Sequence, residues 1–357
     1  MSNVRIGAKD VGVGQQAFVV AEMAWSHDGL VEKARDIIAG AARAGADAIN
    51  FHLTSLPDYM VPFYGAGPGR LSGGNDTLDV YRYLEKINLT FEVWPDLVAF
   101  ARQSGLAVSI MCNDEPSVAF AIANVAPDML MIHPSCVGDE RLLRSMAAYG
   151  RPFVIYTGGL HLGEIENAVR WATLEGNNNL VLQHGFQSYP TAIADNHLRA
   201  IRTLKSQFGF PVAFADHTDG DDPMAMIVPL LAVAMGADVV EKHITHDRTL
   251  KGEDFEAAFS PDQFAVFVDR LRQSERSFGQ SSWQPLSERQ LKYRSVVRKR
   301  AVAAAPIAAG TKLTRDIITF KRADIGLYPE EISNLDGNIV VARDLETNAP
   351  IVWEVLR

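Results

Sequence analysis

The chain has 357 residues, with 43 Asp and Glu against 34 Lys and Arg, which gives a formal net charge of −9. This acidic balance argues against a general nucleic-acid-binding surface, because the phosphate backbone requires clustered cations. Hydrophobic residues make up 47% and charged residues 22%, which excludes a largely disordered chain. There is no membrane-spanning apolar run or signal-peptide core, and there are two cysteines, so we expect a reduced cytoplasmic protein that does not bind membranes.

Short apolar strands alternate with amphipathic helices over most of the chain. The predicted strands, eight in number, lie at 17–23, 48–52, 108–112, 129–133, 153–157, 180–184, 212–217 and 239–244. The predicted helices lie near 30–44, 92–104, 116–124, 139–148, 162–174, 195–208, 223–235 and 261–278. Strand–helix alternation predicts a parallel sheet, and eight such units over roughly 250 residues predict a closed (β/α)8 TIM barrel. An open doubly wound sheet is the competing arrangement, but no Gly-x-Gly-x-x-Gly follows the first strand.

Two segments depart from this repeat. Residues 53–80 are rich in Gly and Pro, and a loop of that length inside a regular repeat is typical of a functional lid or of disorder. After the barrel at 1–278, composition predicts a linker at 279–293 and a small second domain at 294–357. A domain of about 60 residues is marginally stable alone, so we expect it to pack on its own barrel or on a partner subunit.

Polar side chains gather at the predicted strand ends, where a (β/α)8 barrel carries its reactive groups. His217 and His243 end the seventh and eighth strands, which are neighbours in a closed barrel. Period-two alternation places Ala215 beneath the first and Glu241 beneath the second, which leaves room for a divalent ion held by imidazole and carboxylate ligands. The alternative is that these histidines fill polar layers and bond to backbone carbonyls. Without a His-x-x-x-His pair or a Cys cluster, a structural zinc site is not expected.

Several motifs follow one another in the order found in a known family. In the barrel they are AEMAWSHDG at 21–29, GADAI at 45–49, YTG at 156–158, SYP at 188–190, DHTDG at 216–220 and EKHITHD at 241–247. In this respect the chain resembles the sialic acid synthases, which make N-acetylneuraminate and related nonulosonic acids. The C-terminal motifs PIAAG at 306–310 and KRADIGLYP at 321–329 resemble the antifreeze-like (SAF) domain of that family.

The resemblance implies a specific reaction. The family condenses phosphoenolpyruvate with an aldehyde sugar on a Mn²⁺ or Mg²⁺ ion held by two histidines, whose positions match His217 and His243. The ion would polarise the aldehyde oxygen. Glu22 matches a carboxylate that contacts the reacting groups, and Tyr189 and Asp254 match sugar-contacting positions. We also expect substrate contacts from Asn50, His52, Tyr156 and Gln187. The family is a domain-swapped homodimer in which an arginine, matching Arg322, reaches the partner's barrel.

The departures from the family pattern concern the donor. Two lysines that hold phosphoenolpyruvate are replaced by Asn50 and Met131, and three hydroxyl positions become Ile110, Tyr156 and Ala215. A charge-assisted hydrogen bond contributes roughly 1.5–3 kcal/mol, so losing two lysines should weaken phosphate binding by several kcal/mol. We infer that the acceptor side of the chemistry is retained and that the donor has changed.

Three functions remain open at this point. In the first, the chain still joins an enolpyruvyl donor to an aldehyde sugar, with Arg70 or Lys242 as a replacement cation. In the second, it is a metal-dependent aldolase or lyase with an unphosphorylated donor, and Glu22, Glu241 or His133 moves protons. In the third, it is a non-catalytic relative that binds a sugar or regulates a partner enzyme.

Overall fold

A computed structural model describes residues 3–63, 80–279, 282–335 and 337–357 of the protein. The chain divides into two compact units, 1–279 and 280–357. No helix within the described ranges is both long and apolar enough to cross a bilayer.

The first unit begins with a short hairpin that the sequence did not predict. Its strands, β1 (Val4–Ile6) and β2 (Lys9–Val11), pair antiparallel. The apolar side chains of Val4, Ile6 and Val11 are buried in the same cluster as Phe18, inside the barrel.

Eight parallel strands close into a barrel, which confirms the predicted (β/α)8 fold. They are β3 (Phe18–Glu22), β4 (Ala48–Leu53), β5 (Ala107–Cys112), β6 (Met129–Ile132), β7 (Phe153–Tyr156), β8 (Leu180–His184), β9 (Val212–Asp216) and β10 (Val239–His243). The barrel closes where β10 pairs with β3. Each strand lies close to its predicted place. These strands are covered by helices on one face and packed inside the barrel on the other, so each has a short apolar sequence that is easy to recognise.

Helices surround the barrel. They are α1 (Val31–Ala44), α2 (Leu56–Tyr59), α3 (Val80–Ile87), α4 (Trp94–Gln103), α5 (Glu115–Phe120), α6 (Glu140–Ala147), α7 (Leu162–Leu174), α8 (Ala200–Phe208), α9 (Val228–Ala234) and α10 (Pro261–Glu275). Helices α8 and α9 begin later than predicted, because residues 193–196 and 223–226 form separate 3₁₀ turns. The predicted lid at 53–80 contains α2, and α3 begins at its last residue, while residues 64–79 lie outside the described residues.

The second unit is a small β-rich domain with its own core. Its strands, β11 (Lys299–Ala303) and β12 (Ile318–Arg322), pair antiparallel, and helix α12 covers Pro329–Ser333. An additional helix, α11 (Glu288–Val297), begins inside the predicted linker and crosses the predicted boundary at 294. Ser287 and Gln290 form a capping box at its start. The sequence analysis missed this helix start because the serine-rich segment before it resembles a linker.

Candidate active site

A cavity of about 520 Å³ opens at the C-terminal end of the barrel strands. Most of the predicted site residues line it, namely Glu22, His52, His133, Tyr156, Gln187, Tyr189, His217, Glu241, His243 and Asp254. Its remaining wall is largely apolar and includes Trp25, Met60 and Leu84. Alternate residues of the strands point into the barrel, which brings together Glu22, His52, Tyr156, Glu241 and His243, and the segments that follow the strands supply the rest.

The two predicted metal-ligating histidines lie side by side at the cavity. Their ring centroids are 5.3 Å apart, and the ring of Tyr189 lies 4.4 Å from that of His217 and 5.7 Å from that of His243. The Nδ1 of His217 donates to the carbonyl oxygen of Phe186 at 2.8 Å, which leaves the lone pair on Nε2. Burial lowers the pKa of His217 to about 4 and that of His243 well below 6.5, so both rings are neutral at pH 7.

Asp254 approaches His243 from the loop that follows β10. Its Oδ2 lies 3.7 Å from the His243 Nδ1, a buried nitrogen without a hydrogen bond. Burial and the neighbouring Glu253 raise the pKa of Asp254 well above its usual value. Among the described residues, no group of three or more His, Cys, Asp or Glu side chains is arranged to hold a metal ion. A metal at the two imidazoles would therefore take its remaining ligands from solvent or substrate.

Glu22 is held firmly in the cavity. Its Oε1 accepts a hydrogen bond from the backbone N–H of Ala24 at 2.7 Å, and its Oε2 accepts one from Nδ2 of Asn50 at 2.6 Å. Nε2 of His52 lies 3.5 Å from Oε1. Burial, followed by the nearby carboxylate of Glu241, raises the pKa of Glu22 well above its usual value.

Glu241 is held on one oxygen only. Nε2 of Gln183 donates to its Oε1 at 2.6 Å, while the buried Oε2 has no hydrogen bond. Burial raises the pKa of Glu241 to about 8. The sequence did not assign a role to Gln183, although its place at the end of β8 and the period of that strand turn it inward.

The other two histidines of the lining are neutral. The Nδ1 of His133 lies 2.7 Å from the hydroxyl of Ser135, and burial lowers the pKa of His133 to about 4. His52 meets the ring of Trp25 edge-on at 4.7 Å, and burial lowers the pKa of His52 to about 3. Tyr156 is buried close to Glu241, and burial raises the pKa of its phenol well above 10.

Asn50 and the suggested replacement cation Lys242 are not among the residues that line the cavity. Asn50 is buried beneath the cavity as the partner of Glu22. Lys242 faces away from the cavity, with Nζ bonded to Oδ2 of Asp216 at 2.8 Å. The suggestion that Lys242 supplies a cation to the donor is therefore wrong. Arg70 lies outside the described residues, and Arg322 is exposed on β12 of the second unit.

Comparisons with known proteins match both units. A model of the NeuB family matches residues 37–282, and a model of the SAF domain matches residues 298–357. An uncharacterised protein of Methanocaldococcus jannaschii is 31% identical over 100% of this chain and 99% of its own length. The N,N'-diacetyllegionaminic acid synthase of Legionella pneumophila is 28% identical over 99% of this chain and 98% of its own. The crystal structure of the N-acetylneuraminic acid synthetase of Leptospira borgpetersenii in complex with citrate is similar, with a TM-score of 0.72 and 26% identity, over 83% of this chain and 97% of that chain.

Proposed function

Since the chain belongs to the NeuB family and carries a SAF domain, we propose that it joins an aldehyde sugar to a three-carbon donor with the help of a divalent metal ion. The observation that carries this proposal is the pair of neutral imidazoles, His217 and His243, beside Tyr189 and above two buried carboxyl groups. The relatives named synthases of N-acylated sugar acids support the same class of substrate.

The two imidazoles fit a divalent ion such as Mn²⁺ or Mg²⁺. Because Nδ1 of His217 donates to the carbonyl of Phe186, its Nε2 lone pair is available, and neutral imidazole is a common ligand for such ions. Two protein ligands leave open positions, which is typical of catalytic and not of structural sites. When bound, the ion would act as a Lewis acid on the aldehyde oxygen of the sugar.

The residues around the pair are placed to bind and orient the sugar. Tyr189 presents its ring face beside both imidazoles, and its hydroxyl donates to Oε1 of Gln187 at 3.2 Å. Asp254 lines the cavity from the loop that follows β10, where its carboxyl group can accept hydrogen bonds from sugar hydroxyls. Trp25, Met60 and Leu84 give the cavity an apolar wall, against which the carbon-bound face of a sugar can pack.

Proton transfer is best assigned to Glu241. Both oxygens of Glu22 are occupied by Ala24 and Asn50, so Glu22 is suited to orient a ligand. Glu241 keeps a free Oε2 at the cavity, where it can take a proton from one reacting atom and return it to another. His133 also lines the cavity and is the second candidate for this role.

We also propose that the working form is a domain-swapped homodimer. Arg322 is exposed on β12, and in the family that the chain resembles the matching arginine reaches the barrel of the partner subunit.

The test is product formation. The full chain is freed of metal, then incubated with N-acetylmannosamine and either phosphoenolpyruvate or pyruvate, with and without MnCl2, and new sugar acids are detected by mass spectrometry. We expect a product only with metal, and its loss in His217→Asn, while the exposed His161→Asn variant retains it. A metal-saturated, folded protein that yields no product with either donor over a panel of N-acyl and unmodified aldoses would refute the proposal.

A further inference from the structure

We propose that the cavity selects an unphosphorylated carbonyl donor, a 2-oxo acid such as pyruvate, and excludes a phosphorylated one. This inference rests on the proposed function and concerns the donor of that reaction. It is carried by the charges that face the cavity.

The lining residues that the structure describes include no Lys or Arg. They include four acidic side chains, Glu22, Glu241, Glu253 and Asp254. Phosphate groups in proteins are held by guanidinium, ammonium or converging backbone N–H groups. A phosphorylated enol acid brings a carboxylate and a phosphate to a cavity whose described lining offers no cation, whereas a 2-oxo acid brings one carboxylate, which a divalent ion, with or without the Arg322 that the proposed swap would supply, can offset.

Two cations in and just after β10 are committed to other partners. Lys242 points between the strands and the outer helices, where it bonds to Asp216 and lies over the ring of Phe259. Arg248 bonds to the carbonyl oxygen of Phe255 and pairs with Asp221. Neither side chain lines the cavity.

The floor of the barrel is also unsuited to phosphate. Met131 and Ala215 belong to the apolar cluster inside the barrel, and Asn50 donates its amide to Glu22. The polar groups that remain suit a neutral hydrogen-bonding ligand: the free Oε2 of Glu241 and the buried hydroxyl of Tyr156.

A carbonyl donor needs a base, because it has no enol until a proton is removed. Glu241 takes a proton from the carbon next to the donor carbonyl, and the electron pair of that C–H bond forms the new bond to the aldehyde carbon. The π electrons of the aldehyde move to its oxygen, which takes the proton back from Glu241. The sum is an addition of donor to acceptor with no leaving group, no oxidant and no phosphate.

The first experiment measures binding without turnover. The Mn²⁺-loaded full chain is titrated calorimetrically with pyruvate, phosphoenolpyruvate and inorganic phosphate. We expect pyruvate to bind at least 100-fold more tightly than phosphoenolpyruvate, and phosphate not to bind. Equal or tighter binding of phosphoenolpyruvate, its turnover with phosphate release, or failure of pyruvate to bind would each overturn the inference.

A gain-of-cation variant gives the matched control. Met111 lines the cavity, so Met111→Lys places an ammonium group there, and we expect its affinity for phosphoenolpyruvate to rise at least tenfold, while Met111→Leu shows no gain. A folded Met111→Lys protein without that gain would contradict the charge argument.

A second readout does not depend on that variant. We expect the wild-type protein to exchange the methyl hydrogens of pyruvate with deuterium from D2O, followed by NMR, and Glu241→Gln to lose at least 100-fold of that rate. Exchange no faster than with MnCl2 alone would overturn the inference. Selective pyruvate binding and exchange without any sugar product would instead refute the proposed function and leave the donor class standing.

Discussion

His27 is a buried, neutral imidazole that does not belong to the cavity lining. Its Nδ1 accepts a hydrogen bond from the backbone N–H of Gly29 at 3.0 Å, and its ring lies edge-on to Trp94. Burial lowers the pKa of His27 from 6.5 to about 4. The unfolded chain therefore binds a proton at this residue as the pH falls below 6.5, while the folded chain does so only near pH 4. Stability that is present above pH 6.5 is lost as the pH falls through this window.

Replacing this histidine should flatten the pH dependence of stability. In His27→Asn the amide oxygen can still accept from Gly29, but the side chain no longer titrates. We expect the slope of unfolding free energy against pH between 4 and 6.5 to fall by up to about 1.4 kcal/mol per pH unit. Reversible urea unfolding across that range measures the slope, and an unchanged slope in a folded variant would contradict the assignment.

At the same scale, the sequence located side chains better than it assigned their roles. Period-two alternation and the position of strand ends were enough to bring His217, His243 and Glu241 to one cavity. The partner of Glu241 is Gln183, 58 residues away along the chain, and no local pattern reveals such a contact. The proposed role of Glu241 depends on its free Oε2, and only the structure shows that Gln183 bonds to the other oxygen, Oε1.

Long secondary-structure elements were easier to predict from the sequence than short ones. The barrel strands carry four to six buried residues each and were placed correctly, whereas β1 and β2 have three residues each, too few to show alternation. In 3₁₀ turns, such as those at 193–196 and 223–226, side chains three residues apart lie on one face, much as in an α-helix. The sequence analysis therefore placed the starts of α8 and α9 too early.

Strands β9 and β10 are joined behind the cavity by a buried ion pair. The side chains of Lys242 and Asp216 are both 0% exposed, and Nζ also donates to the carbonyl oxygen of Thr218 at 3.0 Å. The sequence placed Lys242 between two inward residues, Glu241 and His243, so the strand period alone turns it outward. Lys242 was suggested as a donor cation because it precedes the predicted metal ligand His243, but consecutive strand residues point to opposite faces.

Breaking this pair should be costly to the fold. Lys242→Met leaves the carboxylate of Asp216 buried without its cation, so we expect the free energy of unfolding to fall by about 3–5 kcal/mol. The double variant Lys242→Met with Asp216→Asn should lose less than the sum of the two single variants. Denaturant unfolding measures these values, with Arg5→Met in the exposed Arg5–Asp10 pair as the control, expected to change stability by about 0–1 kcal/mol. A loss in Lys242→Met as small as in that control would contradict a structural role for the pair.

On the scale of the whole molecule, each unit has its own core. The second unit buries a small apolar cluster that includes Ala301, Ile307, Val341 and Ile351. Such a cluster can stabilise a small domain, yet the cavity residues described above all belong to the first unit. Under the proposed function, the second unit contributes Arg322, and the proposed swap assigns that arginine to the barrel of the partner subunit.

Mixing two inactive variants tests that contribution directly. His217→Asn disables the barrel of its own chain but keeps Arg322, whereas Arg322→Ala keeps an intact barrel. If the proposed swap exists, a mixed dimer holds one intact barrel served by the arginine of its partner, so activity returns on mixing after brief unfolding and refolding together. If Arg322 serves its own barrel, every barrel in the mixture lacks one of the two groups and activity stays absent. Sedimentation equilibrium on both variants confirms that they assemble, and a mixture of dimers that remains inactive would contradict the swap while leaving a requirement for Arg322 intact.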